Sequence, residues 1–343
     1  MKNMIFKRRL PIPKELKEMY PVSSEGAKAK QRNDSEIRDI ITGKSDKMLL
    51  VIGPCSADRE DAVIEYITRL SALRERVEER IMIVPRIFTN KPRTSGAGYM
   101  GMLHQPDPSG DSDVLQGLIA LRRLHMRVLN ETGFSCADEM LYPDEHRFLS
   151  DLLSYVSVGA RSVQNQQHRL TASGLSIPVG MKNPLSGDLG AMMNAIKSAQ
   201  SQHTFIYRNW EVQSKGNPLT HAILRGYKDI EGNNISNYGS DCLLKLAELY
   251  AENGLKNPAL IVDTNHSNSG KDFLKQGAIA KDVISSARNS AEIKALLKGF
   301  MIESYLEDGC QKPGETTYGK SITDPCLGWE KTEKLVLELA ELW

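Results

Sequence analysis

Short apolar runs alternate along the chain with longer stretches in which apolar residues recur every three or four positions. The runs are 48–53, 81–84, 134–137, 155–158, 177–181, 203–207, 260–262 and 299–302. The stretches between them include 59–80, 111–132, 143–153, 188–201, 242–252 and 271–287. Runs of this length, rich in β-branched residues, read as buried strands, and the intervening periodicity reads as amphipathic helix. Strands repeatedly followed by helices pair in parallel, and eight such units predict a closed (β/α)8 TIM barrel rather than an open sheet. A further run, Ala222–Leu224, follows the glycine- and proline-containing segment 214–218. It is assigned to a β-hairpin inserted after strand six, the alternative being that it is the barrel strand itself.

Residues 1–44 break the pattern. A proline-bounded segment, Ile12–Pro21, precedes a polar stretch over 24–32, and a short amphipathic helix is expected over 34–42, started by Asn33 or Asp34. Such a segment cannot bury a core alone, so 1–44 is read as an N-terminal arm that needs a partner surface, with the barrel occupying 45–343. The charge run Arg74–Arg80 reads as a solvated helix face, and Met192-Met193 as packing against the sheet.

Composition narrows the function classes. Forty-four basic residues stand against 43 acidic ones, a net charge of +1, so there is no bulk attraction to nucleic acid or to an anionic membrane. No apolar run is long enough to cross a bilayer. Five cysteines, odd in number and widely spread, suit a reducing cytoplasm better than a disulfide framework. The expected chain is cytoplasmic, with no nucleic-acid or membrane partner, and any cationic site must arise by local clustering.

Such clustering is visible at the ends of the apolar runs. In order, they are followed by Gly53-Pro54-Cys55, Pro85-Arg86, Asp138-Glu139, Gly159-Ala160-Arg161, Lys182-Asn183, Arg208, Asp263-Thr264-Asn265-His266 and Glu303-Ser304. In a barrel these positions converge on the C-terminal rim, where catalytic groups sit. Cys55, His266, Glu303 and Asp324 offer a sulfur, an imidazole and two carboxylates, a set suited to a divalent first-row metal with a position left open. Singly, a cysteine after a strand is more often a packing residue and a carboxylate a surface charge. Arg86, Lys91, Arg93, Arg161, Lys182 and Arg225 form a cationic set suited to phosphate and carboxylate. Each could instead pair with a nearby acid.

These residues lie within segments that resemble the type I 3-deoxy-arabino-heptulosonate 7-phosphate (DAHP) synthases. The segments are Gly53-Pro54-Cys55-Ser56, Lys91-Pro92-Arg93-Thr94, Gly159-Ala160-Arg161, Pro178–Asn183, Leu224-Arg225-Gly226, Glu303-Ser304 and Tyr318–Asp324, in order from about residue 46 onward. The resemblance implies condensation of phosphoenolpyruvate with erythrose 4-phosphate and water, dependent on one divalent metal ion (manganese, iron, cobalt or zinc). It implies Cys55, His266, Glu303 and Asp324 as metal ligands, with Arg86, Arg161, Lys182, Arg225 and the backbone at Ala160 on phosphoenolpyruvate. By the same resemblance Arg93 and Thr94 hold the second phosphate, Lys91 lies near the aldehyde oxygen and Glu139 near the phosphoenolpyruvate site. A homodimer or homotetramer is expected. Cys326, two residues after Asp324, is expected near Cys55, where oxidation of metal-free protein could join them.

The chain departs from the family at Ser162–Gln166, between Tyr207 and Leu224, and in the arm. Because the last two regions shape the inhibitor site of feedback-controlled relatives, weak or absent inhibition by phenylalanine and tyrosine is expected. An octulosonate-phosphate synthase acting on arabinose 5-phosphate is the nearest alternative, and Lys91-Pro92-Arg93-Thr94 argues against it. A non-catalytic barrel that binds a phosphorylated metabolite is the other, and the four-ligand set argues against that.

Overall fold

A computed structural model describes residues 2–93, 98–312, 315 and 317–343. Eight parallel strands form one sheet: β1 (Met48–Gly53), β2 (Ile81–Pro85), β3 (Cys136–Glu139), β4 (Leu153–Val158), β5 (Val179–Lys182), β6 (Thr220–Leu224), β7 (Leu260–Asp263) and β8 (Leu297–Glu303). The hydrogen-bonded order runs β2-β1-β8-β7-β6-β5-β4-β3. The two ends meet through a parallel bridge between Arg86 and Ala137, where the Ile87 amide donates to the Ala137 carbonyl at 2.9 Å. That bridge closes the barrel as expected. Strands buried on both faces need continuous apolar runs, and every residue of β1, β2 and β6 is buried.

The assignment of strand six is corrected. Residues Thr204–Tyr207 pair antiparallel with Trp210–Gln213 in a hairpin outside the barrel, and Thr220–Leu224 is the barrel strand, between β5 and β7. The hairpin is therefore inserted before β6 rather than after it. The reason lies in burial: 204–207 alternates exposed and half-buried positions, whereas 220–224 is wholly buried. His221 hides that burial in the sequence. Its ring bonds the Tyr155 hydroxyl at 2.7 Å and the Leu219 carbonyl at 2.9 Å, and burial pushes its pKa down to about 4, so it enters the core neutral. Arg208 consequently leaves the rim. It sits at the hairpin turn with φ of 58° and meets Asp144 at 3.2 Å.

The arm also differs from expectation. One 18-residue helix, Ser24–Ile41, replaces the polar stretch and short helix, with the Ser23 hydroxyl capping the Gly26 amide. Its partner surface is the barrel of the same chain. Ile37, Ile40 and Ile41 join Leu49, Val51, Met82, Tyr155, Ile223, Ile261 and Met301 in one buried cluster that fills the barrel interior. The other side of the strands packs on the surrounding helices, Met192 and Met193 included, as expected. Helix 143–153 shrinks to His146–Leu149, while Val114–Thr132 is capped by Asp113 and ended by Gly133 at φ 72°. Among the described residues no helix is long and apolar enough to cross a membrane.

Candidate metal centre and cationic rim

Cys55 follows β1 directly, and Glu303 ends β8; the register that pairs Gly53 with Glu303 sets them side by side. Asp324 arrives by a fold-back. After β8 the chain loops out and returns, the Leu327 amide donating to the Glu303 carbonyl at 3.0 Å. Thr323 is tied to Ser56 through their hydroxyls at 2.8 Å. The Cys55 sulfur and one carboxylate oxygen each of Glu303 and Asp324 lie within 4.8 Å of one another. One soft and two hard donors at that spacing fit a divalent transition ion.

His266 stands at the edge of this triad, with Nε2 4.0 Å from Glu303 Oε1. It follows β7 in a left-handed backbone conformation (φ 49°). Its Nδ1 lies 2.9 Å from Asp263 Oδ2, a contact that would keep a proton on Nδ1 and leave Nε2 to serve a bound ion. Burial raises the Asp263 carboxyl, but His266 and Lys182 more than offset it and hold it well below the usual range. Asp324 is likewise held well below that range by Lys91, His266 and Lys271 despite its burial.

The cations interlock with these donors. Arg86, buried, places one guanidinium nitrogen 2.6 Å from Glu303 and 3.2 Å from the Cys55 carbonyl, and its carbon stands 3.8 Å over the Phe88 ring. Lys91 Nζ lies 2.8 Å from the Cys55 sulfur. Burial pushes the Cys55 thiol up, reinforced by Glu303 and opposed by Lys91, so a bound ion must displace its proton. Lys182 ends β5 and meets Glu139 at 3.1 Å and Asp263 at 3.8 Å. Burial raises Glu139, and Lys182 and Lys91 outweigh that and lower it. Gly159 makes room for this acid, since a Cβ there would stand 2.7 Å from a Glu139 oxygen.

Arg225, the residue that follows β6, is buried beside this group. Its amide donates to Asn183 Oδ1 at 2.9 Å, and the next residue, Gly226 (φ 70°), packs its backbone on Asn268. Burial lowers Arg225, Asp263 and Glu139 oppose that, and the charge of Arg161 adds to it. Arg161 lies exposed in the turn after β4, beside half-buried Ala160. One terminal nitrogen of Arg86 and one of Arg225 are buried without an acceptor among the described residues. Donors of that kind call for an anion. Arg93 lies further out, its Nε donating to the Tyr99 carbonyl at 2.8 Å, and Thr94 falls outside the described residues.

The profile of the DAHP synthetase I family matches residues 20–337. The chain belongs to that family. It is 35% identical over 339 residues to the Tyr-sensitive phospho-2-dehydro-3-deoxyheptonate aldolase of Escherichia coli K12, covering 96% of this chain and 92% of that one. It is 38% identical over 339 residues to the Trp-sensitive enzyme of the same organism, covering 96% and 94%. The solved phospho-2-dehydro-3-deoxyheptonate aldolase of Francisella tularensis SCHU S4 superposes with a TM-score of 0.92 at 31% identity, over 99% of this chain and 98% of that one. For a DAHP synthetase I family member, the rim brings together three ligand candidates within one sphere and a fourth at its edge.

Three residues placed on the rim from the sequence, but given no role there, take part in the site. Asp263 orients His266 and faces Lys182; Asn265 donates to Glu303 Oε2 at 2.5 Å; Asn183 braces both Arg225 and Gly226. The signal was present for all of them, since each lies at the end of a barrel strand or within two residues after it. Cys326 lies beside Cys55, its sulfur 3.4 Å from the Cys55 amide nitrogen, and all five cysteines are free thiols.

Proposed function

We propose that the chain condenses phosphoenolpyruvate with erythrose 4-phosphate and water, releasing DAHP and phosphate at the entry to aromatic biosynthesis. The observation that carries this is the contact of Lys91 with Cys55, which joins a cationic rim to a metal-ligand triad in a member of this family. Cys55, His266, Glu303 and Asp324 would hold one manganese, iron, cobalt or zinc ion. Such an ion supplies Lewis acidity toward an aldehyde oxygen.

Arg86, Lys182, Arg225 and Arg161, with the Ala160 backbone, are assigned to the phosphate and carboxylate of phosphoenolpyruvate, and Arg93 with Thr94 to the phosphate of erythrose 4-phosphate. Holding two polyanions face to face is opposed by their charges, which the buried guanidiniums offset. Carbon 3 of phosphoenolpyruvate attacks the aldehyde carbon, and Lys91 delivers its proton to the oxygen that becomes a hydroxyl. Burial lowers the Lys91 ammonium, but Cys55 and Glu303 outweigh that and hold it above its ordinary value, so it is protonated at neutral pH. Water then adds at carbon 2, and the adduct expels phosphate. Glu139 sets the position and charge of Lys182 through their 3.1 Å contact. A homodimer or homotetramer is the assembly proposed.

Phosphate release measured with each aldehyde tests the substrate assignment. Metal-dependent release is expected with erythrose 4-phosphate and not with arabinose 5-phosphate; the reverse preference would identify the octulosonate reaction, and no release with either a binding barrel. Inhibition by phenylalanine or tyrosine is expected to be weak or absent, given the altered arm and hairpin segment. Half-inhibition of phosphate release at sub-millimolar concentration of either amino acid would refute that.

A further inference from the structure

The turn that carries Lys91 is held from behind by two buried carboxylates to which the reaction assigns nothing. Asp138, on β3, accepts from the Thr89 amide at 3.0 Å and from the Thr89 hydroxyl at 2.5 Å. Glu145, before the short helix His146–Leu149, accepts from Asn90 Nδ2 at 2.5 Å. All four residues are buried. On the opposite side the Lys91 amide donates to the Met100 carbonyl at 3.0 Å. Gly101 approaches so closely that a Cβ would stand 2.4 Å from the Thr89 oxygen. Residues 89–91 are thus clamped on both sides, and Lys91 Nζ projects from the clamp to the Cys55 sulfur.

Among the described residues, two oxygens in the clamp have no hydrogen-bond partner: Glu145 Oε1 and Asn90 Oδ1. They belong to the two groups already joined by one hydrogen bond, and both are acceptors while Glu145 is ionised. A buried acceptor without a donor is costly. A proton on Glu145 removes both defects, because an acid and a primary amide form two antiparallel bonds, O–H to the amide oxygen and N–H to the acid carbonyl. Burial and the charge of Asp138 push the Glu145 carboxyl up to about 8, outweighing the bonds from Asn90 and Thr89, in keeping with that state. Other titratable neighbours are His125 of the helix Val114–Thr132, whose Nε2 lies 3.8 Å from Asp138; His146, kept neutral by burial with help from Lys17 and Lys30 of the arm; and Tyr142, raised by burial and by the charge of Glu145.

We propose that Asp138 and Glu145 are positioning residues for Lys91: Asp138 pins Thr89, a neutral Glu145 pairs doubly with Asn90, and together they aim the ammonium at the reacting oxygen. This rests on the proton-donor assignment of Lys91 given above. A misplacement on the scale of 1 Å costs about a hundredfold in a positioned reaction, so the effect falls on kcat rather than on phosphoenolpyruvate binding.

Glu145→Gln and Glu145→Ala separate positioning from bulk structure. The glutamine repeats the donor and acceptor of the neutral acid, so Glu145→Gln is expected to retain at least about half of the wild-type kcat and to lose the alkaline decline in kcat expected of the wild type as Glu145 ionises. Glu145→Ala leaves Asn90 unpaired and is expected to lose about thirtyfold in kcat, with little change in KM for phosphoenolpyruvate. The Thr89 and Lys91 amides should then exchange hydrogen faster than in wild type. Glu145→Gln below a tenth of wild-type kcat, or with an unaltered alkaline limb, overturns the proposal; so does a folded Glu145→Ala of wild-type kcat. If Glu145→Ala does not fold, the glutamine variant alone decides. Should wild-type protein form no DAHP, the reaction assignment has failed instead, and the clamp is judged by amide exchange in Glu145→Gln, where loss of protection at Thr89 and Lys91 overturns it.

Discussion

Cys55→Ala is expected to reduce DAHP formation by at least about a hundredfold, and chelation of the wild-type protein to have the same effect. Loss of a residue that merely orients a metal ligand already costs about 10- to 100-fold, and Cys55 is itself the sulfur donor of the triad. The alanine leaves a histidine and two carboxylates, a harder set with weaker hold on a first-row transition ion. It also removes the sulfur that accepts from Lys91, 2.8 Å away, so the lysine loses the contact that fixes its head group. Phosphate release measured across a metal titration checks both consequences. In a cobalt-loaded sample, the thiolate charge-transfer band should vanish with the substitution. Full activity in excess chelator, or in Cys55→Ala, would overturn the metal-assisted reading.

Glu303→Ala is expected to destabilise the fold by about 3–5 kcal/mol as well as inactivate the enzyme, because it leaves a buried charge unpaired. Arg86 is 1% exposed and Glu303 0% exposed, and their 2.6 Å contact is the acid's shortest charged contact. Burial raises the Glu303 carboxyl, but Arg86, His266 and Lys91 more than offset that and lower it. A carboxyl lowered in the fold contributes stability above its unfolded range, and that contribution is lost as pH falls through its folded value. The difference between wild type and Glu303→Ala should therefore be greatest at neutral pH and shrink in acid. Removing the stranded cation as well, in Glu303→Ala/Arg86→Met, should recover part of the stability and none of the activity. Urea unfolding midpoints for the three proteins test this; coincident midpoints at pH 7 would show that the pair contributes nothing.

The rim was legible because barrel geometry places the residue after each strand on one face, and the apolar runs mark where strands end. Cys55, Arg86, Glu139, Lys182, His266 and Glu303 could be read in that way. Arg225 was visible through its motif, but its place on the rim was given to Arg208, because the half-exposed hairpin strand Thr204–Tyr207 looks more apolar than Thr220–Leu224. The buried Thr220 and His221 made the true strand look polar; only the Tyr155 hydroxyl and the Leu219 carbonyl explain how His221 enters a core. The helix Ser24–Ile41 was likewise obscured. Its buried residues are two small ones, Gly26 and Ala29, and three isoleucines near its end, too few and too late for a clear periodicity.

By itself the sequence determined most of the inventory: seven of the eight barrel strands, the donors and cations that follow them, and the motifs that narrow their chemistry to two phosphorylated substrates. Tertiary structure decided the pairings. Cys55 meets Glu303 through the β1–β8 register, Asp324 joins them through the Leu327 fold-back, and Lys91 reaches Cys55 from a turn clamped by Asp138 and Glu145. Contacts between residues as far apart as 55 and 324 have no local signature, since nothing in their spacing constrains them until the sheet closes. The same holds for charge: whether a carboxyl sits low like Glu303 or high like Glu145 depends on which cation or acid is buried beside it.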